Sequence, residues 1–318
     1  VFSRILVPLD GSKLAERALD HARCIAKTFS AQVVLLTVQD PSMDRNSSLS
    51  VDPLRWQIQK TESELYLQSV TAHLKQDHVD VVYHILEGNA AENIVNFAVN
   101  ENIDLVIIST HGWSGLSRWE TSSVVKKVIE KIYLPVLIVR SFQSPEEVGT
   151  HVPYQRILIP MDGSRRAECS LPTAIALAQD LNASLYTAHV IQKPVLPFTV
   201  EQTGEITQSL SNYMQVHHKA LDQYMENLRQ RVPVPTEVQI TEGNNIPRAL
   251  HEIVHAQNID LIVMCAHGST GVIDWPYGSV AYNLLKYGLV TTLVIQDIAR
   301  AQIRPSPAEL AAENIGKR

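Results

Sequence analysis

The sequence predicts an α/β protein of two tandem doubly wound domains, each a five-stranded parallel sheet with helices on both faces. Three observations predict it. The chain repeats itself: Arg4 to Ser12 reads RILVPLDGS and Arg156 to Ser164 reads RILIPMDGS, an offset of 152. Asn102 to Gly115 (NIDLVIISTHGWSG) recurs as Asn258 to Gly271 (NIDLIVMCAHGSTG), an offset of 156, and Glu87-Gly88-Asn89 recurs as Glu242-Gly243-Asn244. Three anchors in one order at a period near 150 mean a duplicated domain rather than a solenoid. Within each copy, short apolar runs alternate with stretches of helical spacing. The runs are apolar on both faces, as strands of a parallel sheet covered on two sides are.

In the first copy, Ile5-Leu6-Val7 is a strand stopping at Pro8. Leu14, Ala15, Ala18, Leu19, Ala22, Ile25, Ala26 and Phe29 then mark a helix, with Ser12 as its N-cap. Strands follow at Val33 to Val38, Val79 to Leu86, Leu105 to Ser109 and Pro135 to Val139. Between them lie a helical stretch up to about Gln76 and helices at Ala90 to Asn100 and Val124 to Ile132. The second copy repeats the order, with a helix at Ala167 to Leu181 and strands at 157–159, 185–190, 236–241, 261–265 and 291–295. The expected boundaries are 1–142 and 152–297, with a polar linker at Ser141 to Pro153 and a tail over 298–318. The last strands, Pro135 to Val139 and Thr291 to Ile295, are apolar edges needing cover.

Composition narrows the function. At 318 residues, with 45% hydrophobic and 19% charged, the chain can bury two cores without disulfides or a structural metal. A net charge of -6 disfavours a nonspecific nucleic-acid binder. No run approaches the roughly 20 apolar residues of a membrane span, and the first residues lack the long apolar core of a secretory signal. Three cysteines, Cys24, Cys169 and Cys265, distant in sequence, suit free buried thiols in a reducing compartment; a cytoplasmic location is expected.

In an open parallel sheet, ligands sit beyond the carboxyl ends of the strands at the topological switch. Two segments of each copy end there: Asp10-Gly11-Ser12 or Asp162-Gly163-Ser164, and the loop holding His111-Gly112 or His267-Gly268. In the second copy nine residues separate Gly268 from Gly278-Ser279, which opens the next helix. Glycines let amides approach phosphate oxygens, and a helix N-terminus adds free N–H groups and a positive dipole end. Asp162 is placed to bond a ribose hydroxyl or hold a divalent metal beside the phosphates.

These residues resemble the universal stress protein family in its tandem two-domain form, over almost the whole chain apart from linker and tail. The family's fold is adenine nucleotide α-hydrolase-like. Its nucleotide-binding members carry G-x-x-G, nine residues, then G-[ST], with an Asp after the first strand. In the second copy Gly268, Gly278 and Ser279 match, and Cys265 stands at the first glycine position. In the first copy Gly112 and Ser123 match, while Ser109 and Ser122 replace both outer glycines. The resemblance implies an ATP or other adenine-nucleotide site, with Mg as a candidate companion, at Asp162, Val190, Cys265, His267, Gly268, Gly271, Gly278 and Ser279. A weaker or absent site is implied at Asp10, Val38, Ser109, His111, Gly112, Gly115, Ser122 and Ser123. The backbones of Val38 and Val190 would face adenine. In relatives the last strands pair across a domain dimer, so the two copies here are expected to form an intramolecular pseudo-dimer; a further homodimer is open.

Other features have blander readings. His251-Glu252-Ile253-Val254-His255 fits the H-E-x-x-H zinc pattern. The repeat places Val95 and Val99 opposite its histidines, so a scaffold helix without zinc is expected. His111 and His267 are read as holding the loop or touching phosphate, Trp119 and Trp275 as packing it onto the sheet, and His217-His218 as solvated. No catalytic residue is expected, because no nucleophile pairs with a base. The expected function is an ATP-binding stress-response or signalling protein with at most slow hydrolysis. The rivals are a non-binding interaction protein with relic motifs, and an adenylating enzyme of the same fold, against which the missing SGGxDS-type loop counts.

Overall fold

The repeat resolves into one continuous sheet. A computed structural model describes residues 2–40, 53–110, 122–140, 154–192, 204–269 and 275–297. The first copy runs β1 (Arg4–Pro8), α1 (Lys13–Phe29), β2 (Gln32–Gln39), α2 (Pro53–Gln76), β3 (Val81–Glu87), α3 (Ala90–Asn100), β4 (Leu105–Ser109), α4 (Ser123–Lys131) and β5 (Val136–Val139). The second runs β6 (Arg156–Pro160), a 3-10 turn (Ala167–Ser170), α5 (Leu171–Leu181), β7 (Ser184–Ile191), α6 (Gly204–Arg231), β8 (Thr236–Glu242), α7 (Ile246–Ala256), β9 (Leu261–Cys265), α8 (Ser279–Tyr287) and β10 (Thr291–Ile295). The linker and tail lie outside the described residues.

The strand order is β3-β2-β1-β4-β5-β10-β9-β6-β7-β8. Each half is parallel, and the halves join where β5 meets β10 antiparallel, Leu137 opposite Leu293. Each apolar edge thus covers the other, as an intramolecular pseudo-dimer requires. Side chains reinforce the junction. The Arg140 guanidinium donates to the Leu284 and Leu285 carbonyls at 2.6 and 2.8 Å, satisfying the last turn of α8. The Tyr277 hydroxyl, just before α8, donates to Leu134 O at 2.9 Å. Both ends of α8 are therefore held by the first copy.

The central strands β4, β5 and β9 are buried at every residue. One sheet face packs against α1, α2, α5 and α6 through residues such as Ile25, Leu67, Leu177 and Met225. The other packs against α3, α4, α7 and α8 through Ile94, Val128, Ile253 and Leu284. Each such fully buried aliphatic side chain stabilises by roughly 1.5–3 kcal/mol.

Local signals repeat with the fold. Ser12 caps α1 by accepting from Ala15 N, and Asn89 and Asn245 cap α3 and α7 likewise. Asp104 and Asp260, from the two NID triplets, accept backbone amides at the start of β1 and β6 respectively. The α-helix expected from Ala167 departs from the regular pattern: 167–170 forms a 3-10 turn, and the α-helix begins only at Leu171, with Pro172 in its first turn.

Candidate nucleotide site

The switch point of the second half lies between β6 and β9, and the turns leaving both strands converge there. After β6, Gly163 takes φ +81°, a left-handed conformation that suits glycine. This lets Asp162 Oδ1 accept Ser164 N at 2.9 Å, while Ser164 Oγ accepts Ala167 N at 3.2 Å. The first copy repeats the turn with Gly11 at φ +80°, Asp10 and Ser12. The second carboxylate oxygen of Asp162 accepts Ser269 N at 2.5 Å, so one side chain fastens both turns. Burial raises the Asp162 pKa, but the bonds from Ser164 and Ser269 more than offset this and hold it below the ordinary value. A Cβ on Gly268 would overlap Asp162 Oδ2, which explains the glycine.

His267 lies beneath this loop, its side chain fully buried. Nδ1 bonds Asp297 Oδ1 at 2.7 Å and Nε2 bonds Trp275 O at 2.9 Å. The ring thus bridges a carboxylate and a backbone carbonyl. Arg166 binds the other Asp297 oxygen at 2.6 Å. Burial raises the Asp297 pKa, but the His267 and Arg166 bonds outweigh it and keep the carboxyl below the usual range. His267 therefore ties Trp275 to Asp297. Trp275 does not pack onto the sheet: it is 68% exposed, and only its carbonyl serves the loop.

The two helix starts differ. Gly278 precedes α8 and gives no side-chain cap; its N–H donates to Ala266 O at 2.8 Å. The first-turn amides of Ser279, Val280 and Ala281 have no carbonyl partner within the helix. Ser122 precedes α4 with the matching bond to Thr110 O, but its hydroxyl accepts Val125 N at 3.3 Å. The amide corresponding to Ala281 N is thus already occupied in the first copy.

Behind these turns, the second copy encloses a cavity of about 630 Å³, within the range of small-molecule sites. Asp162, Val190, Cys265, His267, Gly268, Gly278 and Ser279 all line it. Ala188 O is the last β7 group taken from the β6 side, by Met161 N, while Ile191 O accepts from Gly243 beyond β8. Strand alternation then turns the Val190 backbone toward the space past the end of β6. Met161 contributes the next residue along that wall. Among the described residues, no Lys or Arg lines the cavity.

The corresponding cavity in the first copy is about 340 Å³ and brings together Asp10, Val38, Ser109, Ser122 and Ser123. Gln39 partly fills its α2 side, donating to Gln59 O and Ser63 Oγ at 3.2 and 3.0 Å. His111, Gly112, Gly115 and Gly271, with Trp119, lie outside the described residues.

Several lining residues were not expected. His189 and His217 each present a buried Nδ1 with no hydrogen-bond partner among the described residues. His217 is half-buried on the cavity wall, not solvated, because Tyr213 stacks on it at 5.8 Å between ring centroids. Burial lowers the His189 pKa, so its ring stays neutral more readily than a solvated histidine. His218, next to His217 in the chain, pairs with Glu242 at 2.8 Å. Comparing the copies would have flagged Arg166 and Asp297, which stand opposite Leu14 and Ser141.

The H-E-x-x-H helix shows His255 and Glu252 exposed, with Glu252 paired to Arg248. Among the described residues, no group of three or more His, Cys, Asp or Glu side chains is arranged to hold a metal. The cysteines are not uniformly buried: Cys265 is, while Cys24 and Cys169 are half-buried, and Cys169 touches Cys265.

A family model for the universal stress protein family matches residues 2–140 and again 153–296. The chain belongs to the universal stress protein family. Two curated relatives are single-copy in length. Universal stress protein MJ0531 of Methanocaldococcus jannaschii is 32% identical over 44% of this chain and 83% of its own. Universal stress protein YxiE of Bacillus subtilis is 30% identical over 44% of this chain and 100% of its own. The crystal structure of a universal stress protein from Archaeoglobus fulgidus aligns with TM-score 0.64 at 18% identity, covering 93% of this chain and 98% of that one, and shares its fold. This universal stress protein is thus a tandem of two family domains, and among its described residues no helix is long and apolar enough to cross a membrane.

Proposed function

We propose that this universal stress protein binds ATP or another adenine nucleotide in its second half, and weakly or not at all in its first. The observation that carries the reading is the start of α8. Gly278 leaves the amides of Ser279, Val280 and Ala281 without a side-chain cap, facing a cavity large enough for a nucleotide. Triphosphate oxygens would accept from them. The base would lie toward the Val190 backbone, between β7 and α6. With no lysine or arginine among the described wall residues, phosphate charge would be offset there by amides, the helix dipole and a magnesium ion carried in with the nucleotide. Asp162 is the carboxylate that would meet such an ion, exchanging some of the bonds its oxygens now accept from Ser164 and Ser269.

Among its described residues the site offers no nucleophile with a base, which favours binding over turnover, with at most slow hydrolysis. Nucleotide occupancy would act on partner affinity through α8, whose two ends are held by the first half. A cytoplasmic stress-response or signalling role fits this chemistry. For the first half, the non-binding reading is favoured by Ser122 capping its own helix. The test is to denature purified protein and assay released adenine nucleotide, then titrate the nucleotide-free chain with MgATP by calorimetry. One site per chain is expected; no site, or two of equal affinity, overturns the assignment.

A further inference from the structure

We infer that Cys169 and Cys265 form a reversible disulfide, making the wall of the second cavity a thiol modification site. The two sulfurs stand 2.7 Å apart, against roughly 2.05 Å for the covalent bond. The chain separates them by 96 residues, so the fold brings them together. Cys265 ends β9, a strand buried at every residue. Cys169 sits in the 3-10 turn, which Ser170 Oγ braces on Ala167 O at 2.9 Å and Arg166 anchors to Asp297. Both thiols are therefore presented by restrained backbone, which lowers the ordering needed for bond formation.

The pair belongs to the second half alone. Its repeat equivalents are Arg17 and Ser109, neither able to form such a bond. Access is available too: Cys169 is partly exposed, and Cys265 lines the cavity. The sulfurs divide the labour. The bond to Cys169 and burial push the Cys265 thiol up, so Cys265 keeps its proton, while Cys169 is the sulfur more open to solvent.

The oxidant is a peroxide. The Cys169 thiolate attacks one oxygen of hydrogen peroxide, the O–O bond breaks, and hydroxide leaves from a Cys169 sulfenic acid. Cys265 sulfur then attacks Cys169 sulfur; the S–O bond breaks, and the hydroxyl departs as water with the Cys265 proton. In sum two thiols and one peroxide become one disulfide and two waters. A dithiol reverses it by exchange. The bond ties the turn after β6 to the end of β9, fixing one cavity wall.

The readout is the thiols alone, so the inference stands whether or not a nucleotide binds. The full-length folded chain is treated with hydrogen peroxide, alkylated, digested without reductant and mapped by mass spectrometry. The expected result is a linked peptide pair containing Cys169 and Cys265, loss of two alkylatable thiols, and recovery of both with dithiothreitol. Cys24 serves as internal control, because burial pushes its thiol up to about 11. C24S should leave the linkage intact, and C169S should abolish it. Cys169 and Cys265 both remaining alkylatable, or Cys169 accumulating as sulfinic acid without a linked peptide, would overturn the inference; this wild-type map needs no variant to fold.

Discussion

Asp162 Oδ2 accepts the Ser269 amide at 2.5 Å, so the turn after β6 is tied to the residues leaving β9, though the two are 107 residues apart in sequence. Asp162→Ala removes an acceptor from both turns. Hydrogen bonds to an ionised group are each worth roughly 1.5–3 kcal/mol, less where water competes as it does here, so a stability loss of about 1 kcal/mol is expected in urea unfolding. MgATP affinity should drop about 10- to 100-fold, since the phosphate loop loses its fixed position. Unchanged affinity in calorimetry would remove Asp162 from the site.

Gly278→Ser tests the difference between the halves by making the second resemble the first. The new Cβ meets Ala266 O at 3.2 Å, a close but adjustable contact. The serine hydroxyl would accept Ala281 N, as Ser122 accepts Val125 N. An N-cap is worth roughly 0.5–2 kcal/mol over no cap, with glycine only a few tenths below serine, so the unliganded protein should keep or slightly raise its Tm. Nucleotide affinity should fall at least about tenfold. Loss of Tm together with affinity would instead indicate a folding defect.

Tyr213 and His217 project from α6 onto the cavity, with Tyr213 56% exposed. Stacking on a base contributes roughly 1–3 kcal/mol by alanine substitution. Tyr213→Ala should therefore weaken ATP binding about 5- to 100-fold at unchanged Tm, because an exposed ring adds little to the core. Comparing ATP with inorganic triphosphate separates base from phosphate contributions: triphosphate binding should be indifferent to this substitution.

His21, on α1, bonds the Tyr154 hydroxyl at the start of the second half, and burial pulls its pKa from 6.5 down to about 4. The folded chain thus holds His21 neutral where the unfolded chain protonates it. Unfolding takes up a proton between about pH 6.5 and 4, so stability falls with pH in that window and levels off below it. With some solvent at the ring edge, the expected loss is roughly 1–3 kcal/mol. His21→Phe should flatten the part of the pH–stability curve due to this ring. His189 and His251, both lowered chiefly by burial, leave a residual slope of the same sign.

Much of the fold was legible because the repeat encodes it twice. The DGS turns, the NID triplets and the both-sided apolar runs are local signals, and each maps onto a strand end or cap in both halves. The same comparison set Val95 and Val99 opposite the H-E-x-x-H histidines. It failed where a side chain's role depends on neighbours distant in the chain. Trp275 has a packing residue's chemistry, yet its carbonyl is what the loop uses. His217 sits in a polar stretch, yet α6 lays it against the cavity.

Composition, periodicity and the duplicated motifs by themselves determined the two-copy α/β architecture and which strand ends carry the repeated Asp-Gly-Ser and His-Gly segments, since these follow from backbone geometry and burial that neighbouring residues dictate. Only the tertiary structure decided that Ser122 occupies its own helix's amide while Gly278 does not. It alone decided that Arg166, His267 and Asp297 form one network, and that Cys169 meets Cys265. Those outcomes rest on hydrogen-bond and contact distances of about 3 Å, and such distances are set by how strands packed side by side align groups far apart along the chain.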